Sequence, residues 1–537
     1  MAVLQKGKAI YPFWGASINL ITGLDPLSLQ TTSEATYATM LPGISNLTNR
    51  LRYYGFYCWL LDFYFKQEKK GNSTEQYKFI RRAELMVAIL MQSERKEVSQ
   101  ITGSNFAANL INSQTGRSYD LAEGADKDGT DKAVYWKYSS GAFGQYYYGA
   151  MKALSLVIPI INEGDSYPIY IVSQPHPRQK VSGVDLAKAF DESLTPAIKT
   201  LFYNNIKKGK LNESDIAELI EYFAIDKVDV NSKEWSLYVE MLLDKDEPSQ
   251  EEEEKFTHHR RQTILELIQI AIHNKKEYDW QLFLLKAYDL KLVIIQSPMS
   301  ETMIGWYTYK FNEYYQYACG AIFWAALQHL YHFQQDQYLP SFVKKLAITI
   351  TKEICRAVKN ATPESSMLQI LSRFNEDNEL DEETLYHDIN TKADDNPGEA
   401  AKNGFLLLFR LYLENKEMLH PLKELMSRKQ MIREGNMVDG LLHFHNTQSD
   451  SLKYFVEQFL LRKIIYRHQM VALRKMGNGS QSTHKFIIEE QYIRFIDTFP
   501  PRATSPRMVA LSNLLSDLGI IDDNGNLSSI HKKLIVE

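Results

Sequence analysis

The chain has 537 residues, 44% of them hydrophobic and 24% charged, with a formal net charge of −5. This is an ordinary globular composition, long enough for several units, and the charge balance excludes a protein that is polybasic throughout, so any nucleic-acid role would be confined to a local patch. Cys58, Cys319 and Cys355 are far apart and form no CxxC pair, which argues against a zinc ribbon or disulfide framework and fits a reducing cytoplasm.

The N-terminus lacks the apolar run of a signal peptide, and no stretch of about 18 residues is free of polar charge, so no membrane span is expected. Residues 1–30 are punctuated by Gly and Pro. Ser45 or Asn46 is then expected to cap a helix through NRLRYYGFYCWLLDFYFKQ, with Leu47, Leu51, Tyr54, Cys58 and Leu61 on one stripe. QYKFIRRAELMVAILMQSE (76–94) reads as a second helix. DKDGTD (126–131) has the flavour of a calcium loop, but its sixth residue is Asp131 and its twelfth Lys137, where an EF-hand needs Gly and Glu. It is read as a polar turn.

The order after residue 143 is more informative. GQYYYGAMKALSLVIPI (144–160) reads as a helix turning extended at its end, INEGDSYPIYIVSQ (161–174) as a hairpin turning at Glu163-Gly164-Asp165, and VSGVDLAKAFDESL (181–194) as another helix. Helix, hairpin and helix in that order match a winged-helix unit. Long amphipathic or buried helices follow at RRQTILELIQIAIHN (260–274), EYYQYACGAIFWAALQHLYHF (313–333) and SFVKKLAITITKEICRAV (341–358). The acidic stretch 374–402, with only Lys392 and Lys402 against many Asp and Glu, is expected as a linker. In the tail, Ser505 is expected to cap a helix with Pro506 at its first position. Gly519 would end that helix, and DDNGN would turn between two extended pieces. The expected fold is therefore mainly α, a large multi-helix protein with one or two winged-helix-like units. Its expected divisions are 1–100 (N-terminal helices), 101–195 (winged-helix-like), 196–373 (helical core), 374–402 (acidic linker), 403–480 (helices including a basic one) and 481–537 (winged-helix-like).

Catalytic signatures are missing. The chain contains no GxxxxGK[ST], no GxGxxG before a helix, no GxSxG and no HExxH. His329 and His332 with Asp336 can share a helix face, but a metal would need further ligands, and aromatic-rich helices often hold such histidines in their packing. His443 and His445 alternate as on a strand or loop and are too few for a metal. His258-His259-Arg260-Arg261 follows the acidic run DKDEPSQEEEEK (244–255) and is read as screening it or capping the next helix. No cofactor is expected.

The stretch LRKIIYRHQMVALRKMGNGSQSTHKF (461–486) lies in a gap without acidic residues between Glu457 and Glu489. Arg462 and His468 have a spacing used by HEPN ribonucleases, where Arg steadies phosphate charge and His handles a proton. On a helix, however, His468 falls on an apolar stripe with Leu461, Ile465 and Ala472, which reads as interior. Met470 falls on another stripe with the cations Lys463, Arg467 and Arg474. With Lys475, Lys485, Arg502 and Arg507 they form a candidate surface for phosphates or an acidic partner.

The tail strings RHQMVALRKM and SPRMVALSNLLSDLGII, over about 75 residues, resemble the C-terminal part of uncharacterised helical proteins encoded in bacterial mobile or phage-defence loci. The architecture is also similar to winged-helix scaffold subunits of SMC-like systems. The resemblance implies a subunit of a multi-protein anti-phage system, beside an SMC-like ATPase or a nuclease, and carries no catalytic residues. Together these readings predict a cytoplasmic, non-enzymatic DNA-binding or scaffold subunit. The alternatives are a divergent nuclease, HEPN-type or metal-dependent, and a sensor of a phage protein.

Overall fold

The computed structural model describes residues 19–20, 25–68, 72–113, 118–161, 166–176, 180–226, 228–243, 257–289, 301–333, 335–376, 380–392, 396–428, 435–475 and 481–535. The chain is mainly α-helical, and the strands among the described residues form sheets of only two or three strands. No described helix is long and apolar enough to cross a membrane. Two compact units emerge. The first takes Met1–Thr36, Tyr288–Pro298 and Tyr307–Thr504; the second takes Tyr37–Ala287, Met299–Trp306 and Ser505–Glu537. Residues 481–504 and 505–537 thus fall in different units.

The second unit is built on the helix Arg52–Gln67, which is buried on almost every side from Arg52 to Leu61. Neither Ser45 nor Asn46 caps it. Its first turn is met from the other end of the chain, where the Asp517 carboxylate accepts from the backbone N–H of Leu51 at 2.8 Å and from Arg50 at 2.6 Å. Leu47, expected on the buried stripe, is 48% exposed because it lies before the helix. Trp59 packs edge-on to Phe202 at 5.0 Å, and Phe202 stacks on Phe223 at 4.6 Å. Such pairs are worth about 0.5–1.5 kcal/mol each beyond their buried area.

The helix–hairpin–helix order is present in this unit. A π-helical turn, Phe143–Tyr147, leads into Tyr148–Ala153; Val157–Ile160 pairs antiparallel with Ile169–Val172; and Gly183–Glu192 follows. The expected turn at Glu163–Asp165 lies outside the described residues. Ser182 and Asp185 form a reciprocal capping box. A Cβ at Gly183 would stand 2.0 Å from the Leu156 carbonyl oxygen, so glycine is what lets this helix approach the hairpin. In the polar segment 126–131, the Asp126 carboxylate accepts from Arg82 through bonds of 2.6 and 2.7 Å.

The tail helix is Met508–Asp517, and the cap expected at Ser505 is absent. Arg507 takes the N-cap place in a left-handed conformation (φ 62°), while the Ser505 hydroxyl donates to the Asn46 side chain. Gly519 (φ 70°) follows the helix as expected, and Asp522 organises the turn that the Ile521–Leu527 bridge closes. That turn also pairs with Glu277 through Asn526.

In the first unit the long helix Glu301–Phe333, from Tyr307 onward, is buried nearly all round until its last turn. The helices Leu339–Ala357, Met367–Glu376 and Pro397–Asn415 pack with Leu452–Phe459. The described residues of the acidic stretch 374–402, expected as a linker, are mostly helical. Its helix Glu382–Lys392 buries Leu385 and Ile389, and Glu382 accepts from the Tyr288 hydroxyl at 2.8 Å. The acidic composition had masked two apolar positions four apart on one helix face. The sheet of this unit orders Gln337–Tyr338, Tyr492–Phe495 and Phe486–Glu489, with the last two joined in a hairpin. Glu490 and Gln491 supply the hairpin turn at φ 48° and 71°, a left-handed pair made without glycine.

Candidate functional site

The basic stretch forms a continuous rod. Leu452–Phe459 is α-helical, Leu460–Ile465 is a π-helical turn, and Tyr466–Lys475 is α-helical again. A π turn inserts one residue into the helical repeat. Every side chain beyond it is therefore rotated relative to the regular 3.6-residue phase that a sequence reading assumes.

The rod presents two faces, with Ile465, His468 and Ala472 inside and Met470 and Arg474 outside, as the two expected stripes have them. The inner face carries Leu460, Ile464, Ile465, His468, Val471 and Ala472. The outer face carries Arg462, Tyr466, Met470, Leu473 and Arg474. Tyr466 is 43% exposed, Met470 54% and Leu473 56%. Residues at i, i+4 and i+7 lie on one side of a helix, so these three side chains make a single apolar strip facing outward, with an arginine beyond each end. Tyr454, at 50% exposure, lies further up the rod.

Several of the expected contact cations are engaged inside the unit. Arg467 donates to the backbone carbonyls of Leu27, at 2.5 Å, and Ser28, at 3.0 Å. Lys475 donates to the carbonyl of Asp25. Gly435 leaves room for Arg467, since a Cβ there would meet its guanidinium at 1.9 Å. Lys485 is buried and ion-pairs with Asp497. Lys463 is half-buried, and that burial lowers its pKa. Arg502 is exposed, with its guanidinium 5.1 Å from the centre of the Phe499 ring. Arg507 sits in the other unit, donating to the Leu41 carbonyl at 3.1 Å.

His468 is 1% exposed. Its Nδ1 donates to the Pro26 carbonyl at 2.9 Å, and its Nε2 accepts from the backbone N–H of Lys485 at 2.9 Å. Both ring nitrogens are therefore satisfied by backbone in the neutral state. Burial is the main cause that pushes its pKa down to about 4. Arg462 stands on the opposite face, so the structure does not bring the HEPN-like pair together.

The other histidines separate too. His329 lies among the rings of Phe333 and Phe342, at 4.9 and 5.6 Å, with its pKa lowered by burial, while His332 is exposed and Asp336 pairs with Arg494 at 3.4 Å. His443 and His445 lie on the helix Met437–Asn446 and not on the expected strand or loop. There, two residues apart means different faces. Burial lowers the pKa of His443.

Among the described residues, the group able to share an ion is a different one: His258, His259 and Glu301, with one ligand atom from each within 4.8 Å of the others. The sequence signal was a His-His pair, but the third ligand belongs to a helix far along the chain. Sequence reasoning also passed over Glu84. This buried carboxyl accepts from the backbone N–H groups of Ala142 (3.0 Å) and Phe143 (2.7 Å) and from the Tyr57 hydroxyl (3.1 Å). Desolvation raises its pKa to about 7, but these donors already surround it and give it a structural role at the start of the π turn. Compared with protein-family models, with curated proteins and with solved structures, the chain matches none.

Proposed function

We propose that this chain is a non-enzymatic docking subunit of a multi-protein assembly and that the outer face of the rod 452–475 is its contact surface. The observation that carries this reading is the strip Tyr466, Met470 and Leu473, outward-facing and bracketed by Arg462 and Arg474. A contiguous apolar strip on a rigid helix is costly in water unless something covers it. Aromatic, Met and Arg side chains are also the types that dominate protein interfaces.

The occupant that fits is a protein surface with an apolar groove rimmed by carboxylates. DNA fits less well. Phosphates need an array of exposed cations, whereas Arg467, Lys475 and Lys485 are engaged within the unit. The resemblance to defence-locus proteins names the partner class: an SMC-like ATPase or a nuclease encoded beside this chain.

The test is co-expression with the product of the adjacent gene, followed by size-exclusion chromatography. Met470→Asp with Leu473→Asp should abolish co-elution while the melting temperature stays within about one degree, because both side chains are outside the core. Retention of the complex by this double variant would refute the proposal. If Arg462→Glu with Arg474→Glu abolished DNA retention while Met470→Asp left it intact, the surface would belong to DNA instead.

A further inference from the structure

The helix Thr257–His273 opens with His258 and His259, and the helix Glu301–Phe333 opens with Glu301. All three residues belong to the second unit. We propose that they form a three-ligand site for a divalent transition ion of zinc's class, with the fourth position open to water.

The geometry is of the right scale. Ligand atoms within 4.8 Å of one another can be drawn onto an ion whose bonds to imidazole nitrogen and carboxylate oxygen are about 2.0–2.2 Å long. His259 is already oriented. It is 1% exposed, and its Nδ1 shares a hydrogen bond with the Thr302 hydroxyl at 2.8 Å. Engagement of Nδ1 makes Nε2 the nitrogen that meets an ion, and a partner of this kind is what fixes the tautomer and ring plane of a zinc histidine. Thr302 directly follows Glu301, so the same hydrogen bond ties the histidine ligand to the segment that bears the carboxylate. The His258 ring lies against that of His259, with centroids 3.9 Å apart. Glu301 is exposed, which gives an ion a route in from solvent.

The electrostatics set the strength. Two helix starts place partial positive charge here, which favours the ionised carboxylate but weakens the hold on a cation. Arg260, next in the chain, has its guanidinium bonded to the carbonyls of Leu242, Met241 and Pro42 at 2.6–2.8 Å. Affinity should therefore fall below that of a closed four-ligand zinc site. Two imidazoles and one carboxylate still select zinc, cobalt(II) or nickel over magnesium and calcium.

The experiment uses the full chain, stripped with EDTA and titrated with Zn²⁺ by calorimetry and with Co²⁺ by visible absorption, with Mg²⁺ as control. Expected are one Zn²⁺ per chain, cobalt bands displaced by zinc, and no response to Mg²⁺. Glu301→Gln, at an exposed position, should weaken Zn²⁺ by at least about tenfold, the loss seen even when only a supporting partner of a zinc ligand is removed. His258→Ala should do the same, with circular dichroism unchanged in both. His259→Ala should abolish binding; should that variant unfold, the first two carry the decision. Absence of saturable Zn²⁺ binding, or binding unchanged in both Glu301→Gln and His258→Ala, overturns the proposal. The latter result would leave a hydrogen-bonded His–Glu cluster only.

Discussion

Acidification from pH 7.5 to pH 5 should remove about 2 kcal/mol of the stability that the His468 ring contributes. The ring is buried, bonded on both nitrogens to backbone, and its pKa is pushed from 6.5 down to about 4. Because the folded pKa is depressed, the unfolded chain takes up the proton first as pH falls. The contribution is complete above about pH 6.5 and is lost progressively down to about pH 4, where the loss reaches about 3 kcal/mol, at 1.36 kcal/mol per pH unit. Replacement by Ala removes the titration and leaves the Pro26 carbonyl and the Lys485 N–H without their partner, beside a cavity. That should cost about 2–4 kcal/mol at pH 7.5. The assay is urea unfolding of the wild type and His468→Ala at both pH values. The stability gap between them should narrow by about 2 kcal/mol at pH 5. A gap that stays constant would refute the reasoning, because it would mean the ring titrates as an exposed imidazole does.

Three further outcomes follow from contacts. Gly404→Ala places a Cβ 2.8 Å from the Ala318 carbonyl oxygen and 3.1 Å from Ile322, so the overpacking should outweigh the gain in helix propensity. A net loss of about 1–2 kcal/mol should appear as a lower melting temperature. Asp517→Ala should destabilise by about 1–3 kcal/mol, since the Leu51 N–H and Arg50 lose their acceptor, and Asp517→Asn should recover part of it in a thermal melt. Lys485→Ala should cost about 2 kcal/mol by chemical denaturation, the Asp497 partner being partly solvated, and should leave partner docking unchanged.

The mainly helical class was legible because periodic apolar faces and their caps are local signals. So were the helix after the hairpin, the turn at Asp522–Gly525 and the interior place of His468. The partners that decide the site were not. Pro26 and Lys485 flank His468 from opposite directions in the chain, and Asp517 meets a helix at Leu51; no local pattern encodes such pairings. The hairpin turn at Glu490-Gln491 lacks the Asn-Gly signature that marks a left-handed pair. On the basic helix the apolar stripe was legible, since Ile465, His468 and Ala472 are buried. The charged stripe was legible only in part: Met470 and Arg474 face outward, whereas Arg467 reaches the Leu27 carbonyl, a partner distant in the chain, and Tyr466 stands outside.

The extra residue at Leu460–Ile465 is taken up by one wide turn of the helix. Six residues with i→i+5 bonding cover about the same angle as five in an ordinary α-helix. Deleting one residue from Leu460–Ile465 should therefore restore a regular rod and leave His468 against Pro26, with Tyr466, Met470 and Leu473 near their present bearing. The rod can shed a codon at that turn, whereas the same deletion within Tyr466–Lys475 would carry everything beyond it round by about 100° and back by about 1.5 Å.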